Sequence, residues 1–289
     1  MTMNTQKANK TLKIPKIILL TTKFLAFIST KLVVPFAAKL FTTPLKHKVP
    51  KRELEMDQKS KQEVVLIPSI GKKVRVYHFG ESSKKILLVH GWSGRGTQLV
   101  KFAEEFLKLG YATISFDAPA HGKSKGRTTL MPEFIETILE LENKFGPFEA
   151  AIGHSLGGMS LLNAVKKGLD INRLVIIGSG DIVKDILDDF VQKLELEPKI
   201  SELLETHFER NDIQTMNSYS SFHAARSISI PVLIVHDEND DEVPVKCAHH
   251  IHENLENSTL LITKNLGHRK ILGNPKVIDQ VIHFIKNQA

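Results

Sequence analysis

The sequence predicts a three-layer α/β sandwich of about eight mostly parallel strands, antiparallel only at the start. Three observations carry this reading. Short β-branched runs alternate with helical patterns over most of the chain. Inner runs such as "KILLVH" and "PVLIVH" are continuously apolar, as parallel strands covered on both faces must be. The intervals between them are helical in pattern, as right-handed βαβ crossovers require.

Taken in order, "EVVLIPS" and "KVRVYHF" lie close enough to form a hairpin. "KILLVH" follows as the first buried strand. "TQLVKFAEEFLKLG" has apolar residues three and four apart and Gly110 as its stop, so it reads as a helix. "YATISF", "FEAAIG", "NRLVIIGS", "IPVLIVH" and "STLLITK" complete the strand set, with helical patterns around 132–145, 155–168, 245–256 and 275–287. The interval between "VIIGS" and "IPVLIVH" is too long for an ordinary connection. It is expected to be a small helical cap inserted at about 181–228. The organisation expected is an N-terminal basic, apolar helical arm over 1–55 and an α/β domain over 56–289.

Composition narrows the function. The net charge of +7 lies wholly in the arm: residues 1–52 hold ten lysines and Arg52 with no acidic residue. Removing those eleven from the 39 basic residues leaves 28 against 32 acidic ones, so the main body offers nucleic acid no basic surface. Cys247 is the only cysteine, which excludes an intramolecular disulfide and a Cys-rich metal site. In the arm, Lys16, Lys23, Lys31 and Lys39 interrupt the apolar run. A spanning helix needs about 20 apolar residues, and each central lysine costs roughly 2.5–3.5 kcal/mol, so no transmembrane span is expected. Residues 10–52 read equally as a helix lying on an anionic membrane surface or as an arm packed on the body or on a second copy; a signal anchor is a third reading. The location expected is cytoplasmic, with peripheral membrane contact left open.

The stretch "FEAAIGHSLGGMSLLNAVKKG" carries the chemistry. A strand runs into Gly153, Ser155 follows on the turn, and apolar positions at Leu156, Met159, Leu162 and Val165 begin a helix at once. Such an elbow holds a hydroxyl on a tight turn, with glycines where side chains would collide and helix N–H groups aimed at the oxygen. The second Gly-x-Ser-x-Gly, "GKSKG", follows "DAPAH" and starts no helix, so Ser124 reads as a loop residue.

"HGW" after one strand, "DAPAHGKS" after the next, "GHSLGG", "HDENDDEVP" and a late "LGH" together resemble the α/β-hydrolase superfamily over about residues 60–289. The resemblance implies a serine hydrolase with the chain order nucleophile, acid, base. It implies Ser155 as nucleophile and His268, just past the last strand, as base. It aligns Asp240 with the acid position; Asp237 stands where the family usually has glycine, and Asp181 is an alternative that some members use. It also implies backbone N–H groups of Trp92 and Leu156 as oxyanion donors, with His90, Asp117, His121 and Ser124 bracing loops. His249, His250 and His252 fall on a helical pattern and read as solvated surface. The expected activity is cleavage of small-molecule carboxylic esters, lipid-like esters or thioesters included, with no cofactor and no metal. A catalytically silent binding protein and cleavage of amide or carbon–carbon bonds on the same fold stay open. The sequence leaves the oligomeric state undetermined.

Overall fold

The structure is a computed structural model that describes residues 14–210 and 215–287. Two helices form the N-terminal arm, α1 (Lys16–Ile28) and α2 (Thr30–Phe41), broken at the extended Ser29, whose hydroxyl caps α2 by accepting from Lys31 N–H. After α3 (Leu54–Lys59) come the antiparallel strands β1 (Lys61–Ile67) and β2 (Lys72–Phe79). Strands and crossover helices then alternate: β3 (Lys85–Val89), α4 (Val100–Lys108), β4 (Ala112–Asp117), α5 (Met131–Phe145), β5 (Ala150–His154), α6 (Leu156–Lys166) and β6 (Arg173–Ile177). Between β6 and β7 (Val232–Asp237) lie α7 (Val183–Lys193), α8 (Lys199–Glu209) and the short α9 (Ser221–Ala225). The chain ends with α10 (Lys246–Asn254), β8 (Ser258–Thr263), α11 (Gly267–Lys270) and α12 (Pro275–Lys286).

The eight strands make one sheet in the order β1-β2-β4-β3-β5-β6-β7-β8, with β2 antiparallel to both neighbours and all later pairings parallel. This is the α/β sandwich that the alternating runs predict. Period-two alternation divides each inner strand between two cores. Leu87 and Val89 join Phe116, Ile138 and Leu161 beneath α5 and α6, while Ile86 and Leu88 face Phe102, Phe106 and Val281 beneath α4 and α12.

A third, smaller core lies outside the sandwich. Val33, Val34, Ala37 and Ala38 of α2 pack on Val191, Leu194, Ile200 and Leu204 of the cap helices α7 and α8. The joint after α2 is stitched to loops at the carboxyl end of the sheet. Leu45 N–H donates to Ser93 Oγ (2.9 Å), Lys46 Nζ to the Ser124 carbonyl (2.8 Å), and buried Glu53 accepts from Thr97 Oγ1 (2.8 Å) and Arg95 (3.2 Å). The arm is therefore held at both ends against segments that shape the site. Among the described residues no helix is long and apolar enough to cross a membrane.

Candidate active site

Ser155 sits between β5 and α6 with φ 53° and ψ −120°, a conformation that non-glycine residues rarely adopt. The turn survives because its surroundings leave no alternative. Ser155 N–H is tied to the Ile177 carbonyl (2.9 Å), and a Cβ on Gly153 would lie 2.6 Å from the Gly157 carbonyl carbon. A Cβ on Gly157 would strike the Val89 carbonyl oxygen. Strain of this kind costs about 1–3 kcal/mol, so Ser155→Gly is expected to raise stability by about 1 kcal/mol while Ser155→Ala does not. Urea denaturation of the two variants checks this.

The carboxyl ends of β3, β5, β6, β7 and β8 converge on the serine. His268, in α11 just past β8, is buried and shares a hydrogen bond between its Nδ1 and Asp240 Oδ2 at 2.7 Å. Its ring lies against Gly178, where an added Cβ would be 3.2 Å from Nδ1. The residue before Gly178 is the Ile177 that holds the Ser155 amide. Asp240 is buried too. Its Oδ1 accepts from the N–H groups of Glu242 and Val243, both at 2.9 Å. Burial acts to raise its carboxyl pKa, but the His268 hydrogen bond and charge, with the two backbone donors, hold it below the ordinary carboxylate value.

Of the three carboxylates open on sequence, only Asp240 reaches the His268 ring. Asp237 instead braces the loop that carries His268: its Oδ2 accepts from Thr263 Oγ1 (2.7 Å) and Leu266 N–H (3.0 Å), and its Oδ1 from Asn239 N–H (3.0 Å). Asp181 accepts from His250 Nδ1 and from Phe222 N–H (3.0 Å). This corrects the surface reading of His250 and His252. His250 ties α10 to the end of β6, and His252 Nδ1 bonds Ser258 Oγ at 2.7 Å. The helical pattern gave no hint of either, because Asp181 comes from a distant segment and Ser258 lies beyond the helix end, at the start of β8.

Two further histidines flank the dyad, and the sequence assigned neither of them this bracing role. His154 Nε2 donates to the His268 carbonyl (2.9 Å), and its ring centroid is 4.6 Å from that of His268. Burial, with the neighbouring His268, pushes its pKa down to about 3, so it sits neutral. His236 Nε2 donates to the Val243 carbonyl (2.9 Å) and lies 3.5 Å from Asp240, closing the acid loop. Their signal in the sequence was adjacency alone: one precedes the serine, the other precedes Asp237.

The "HGW" loop packs directly on the elbow, since a Cβ on Gly91 would lie 3.0 Å from Ser155 Cβ. Among the described residues neither Trp92 N–H nor Leu156 N–H has an acceptor, and Ser155 Oγ has no hydrogen-bond partner. The loop itself is rigidly held. His90 Nδ1 donates to the Gly91 carbonyl (2.7 Å) and its Nε2 accepts from Ala118 N–H (3.0 Å). His121 Nδ1 donates to the Pro119 carbonyl (3.1 Å) while its Nε2 accepts from Ser93 N–H (3.0 Å). Each ring needs one bare nitrogen, and burial keeps both neutral, at about 4 for His90 and about 3 for His121. Asp117 accepts from Gly96 N–H (2.7 Å) and Tyr77 OH (2.9 Å), and Ser124 Oγ donates to the Asp117 carbonyl (2.6 Å).

Ser155 opens into a cleft of about 1290 Å³ between the sheet and the cap, walled by Trp92, Met159, Phe190, Leu40 and Phe41 among others. Leu40 and Phe41 belong to the arm, and Phe41 packs edge-on against Phe190 of α7 with ring centroids 5.1 Å apart. Cys247 also lines the cleft, but burial pushes its thiol up to about 11, which removes it as a rival nucleophile.

Comparison with known proteins accords with this architecture. A family model for the α/β hydrolase fold matches residues 84–212, and one described as TAP-like protein matches 211–288. No curated protein matches the sequence. Among solved structures, an esterase from Exiguobacterium antarcticum superposes with a TM-score of 0.61 at 19% identity, covering 78% of this chain and 100% of its own. A bromoperoxidase from Bacillus anthracis gives 0.60 at 16% identity, over 78% and 99%. A bacterial membrane phospholipase A gives 0.63 at 15% identity and covers 95% of this chain and 100% of its own. At these identities the likeness is one of fold. With the two adjoining family models, the strand order and the elbow after β5, the chain belongs to the α/β-hydrolase superfamily.

Proposed function

We propose that this protein is a serine hydrolase of carboxylic esters. The observation that carries the reading is the buried His268–Asp240 pair at 2.7 Å, next to a strained serine whose hydroxyl is unpartnered and faces a large apolar cleft. Asp240 accepts a hydrogen bond from His268 Nδ1–H, which keeps that proton on Nδ1 and leaves Nε2 bare to act as base. Ser155 Oγ attacks the acyl carbon and passes its proton to Nε2. His268 then gives that proton to the departing alkoxide. Water, deprotonated by the same nitrogen, cleaves the acyl-enzyme and releases the acid, with Ser155 recovering its proton. The free N–H groups of Trp92 and Leu156 are the oxyanion donors, each worth about 2.7–4 kcal/mol in comparable sites. Catalytic hydrogen bonds are often long in unliganded sites and tighten with substrate, which fits the unpartnered Ser155 hydroxyl.

The test is labelling by a fluorophosphonate probe, run on the wild type and on Ser155→Ala. Labelling of the wild type alone is the expected result, with ester turnover lost in step. A folded wild type that resists the probe would replace this reading with that of a binding protein on a hydrolase fold. Paired oxygen- and thioester substrates of equal acyl length then rank the two leaving groups.

A further inference from the structure

The arm helix α1 is apolar on two opposite faces, and the protein covers only one. Ile18, Leu19, Leu25 and Ala26 turn inward to the core shared with α2 and the cap. Ile17, Leu20, Phe24, Phe27 and Ile28 turn outward, with Phe27 90% and Ile17 70% exposed. At 100° per residue these five span an arc of about 100°, the width of a normal buried stripe. Leu32, at the start of α2, adds to the exposed apolar set. A contiguous exposed apolar stripe of this kind, rimmed by polar residues, is the mark of an interaction surface.

The charges around it say what covers it. Lys16 and Lys23 lie along one edge of the stripe and Lys31 follows at the helix junction; all three are exposed, and Lys23 is paired with Glu195 between α7 and α8. No acidic residue occurs anywhere in residues 1–52. A two-fold dimer through this face would bring each lysine row toward its own copy, a like-charge arrangement with no compensating carboxylate in either arm. A bilayer with anionic headgroups accepts both features at once: the phenylalanines enter the interface and the lysines reach the headgroup layer.

We propose that the outward face of α1 docks this protein on an anionic phospholipid bilayer. The placement has a consequence for the active site, and this half rests on the ester-hydrolase reading above. The docked helix joins α2 at the Ser29 break and packs on it, and the last residues of α2, Leu40 and Phe41, form a wall of the Ser155 cleft. Docking therefore seats the cleft beside the surface that holds acyl chains, and the substrate class is an ester of a membrane lipid.

The full-length chain and the double variant Phe24→Asp/Phe27→Asp are compared by co-sedimentation with two vesicle types: phosphatidylcholine alone, and phosphatidylcholine mixed with phosphatidylglycerol. Both substituted side chains are exposed, so fluorophosphonate labelling and a soluble p-nitrophenyl butyrate assay serve as controls for folding. The expected result is binding to the mixed vesicles that falls about tenfold or more in the variant and also falls with added salt. Turnover of a long-chain ester embedded in the mixed vesicles drops by a similar factor, while the soluble ester is cleaved at the wild-type rate. Equal sedimentation of variant and wild type overturns the docking. So does a wild-type dimer in analytical ultracentrifugation that the variant splits, with neither form binding vesicles. Loss of binding without loss of embedded-ester turnover overturns the substrate half alone. If neither ester is cleaved and no label is taken up, the hydrolase reading fails and sedimentation still decides the docking.

Discussion

Replacing Asp240 by asparagine is expected to lower kcat for ester cleavage about a thousandfold to ten-thousandfold with the fold intact. The size of the effect follows from how the carboxylate is held. Oδ1 accepts two backbone N–H groups, from Glu242 and Val243, so in the variant the amide oxygen must take that position. The amide NH2 then falls where Oδ2 faces His268 Nδ1. Two donors cannot share that contact, so the imidazole gives up its Nδ1 proton and carries one on Nε2 instead. A protonated Nε2 on a neutral ring cannot take the serine proton. Asp237→Asn provides the contrast. It replaces one of the two oxygens that accept from Thr263, Leu266 and Asn239 with an NH2 donor, and none of these partners belongs to the proposed chemistry. It is expected to cost about 1–3 kcal/mol of stability and to keep fluorophosphonate labelling. Single-turnover kinetics and urea denaturation on both variants separate the roles; equal kinetic losses would return Asp237 to consideration as the acid.

Lowering the pH from about 7 to 5 is expected to remove a large share of the ~5–15 kcal/mol that stabilises a typical domain. His90, His121 and His154 are buried neutral, with pKa values pushed down to about 4, 3 and 3 against 6.5 in the unfolded chain. Between the two values the unfolded state binds more protons than the folded one. Stability is therefore complete above pH 6.5 and declines as pH falls, with a slope of up to about 4 kcal/mol per pH unit for three such groups. Burial raises the carboxyls of Asp117 and Asp181, which opposes the decline nearer their ordinary range. The net prediction is a urea midpoint that falls steeply between pH 6.5 and 5. A midpoint unchanged over that interval would mean that these rings are solvated or protonated in the folded state.

Much of the molecule was legible before folding. The eight strands and their crossover helices were readable because a parallel sheet buries both faces, and that demand writes uninterrupted apolar runs into the chain. The serine elbow was readable because a turn this tight excludes side chains at Gly153 and Gly157. Local constraints of this kind leave a local signature.

What the sequence by itself determined, then, was everything set by neighbours in the chain: the order of elements, the elbow, the basic arm without acidic residues, and a short list of acids and bases at strand ends. Only the tertiary structure decided which of them meet. Asp237 and Asp240 are three residues apart and chemically alike, yet one props a loop and the other holds His268. His250 looked like any exposed histidine on a helix until β6 brought Asp181 to it. Leu40 and Phe41 gave no sign of lining a cleft more than a hundred residues away from Ser155 in sequence. The physical reason is the same in each case. A hydrogen bond or a cavity wall between distant segments is a property of their packing, and no spacing along the chain encodes it.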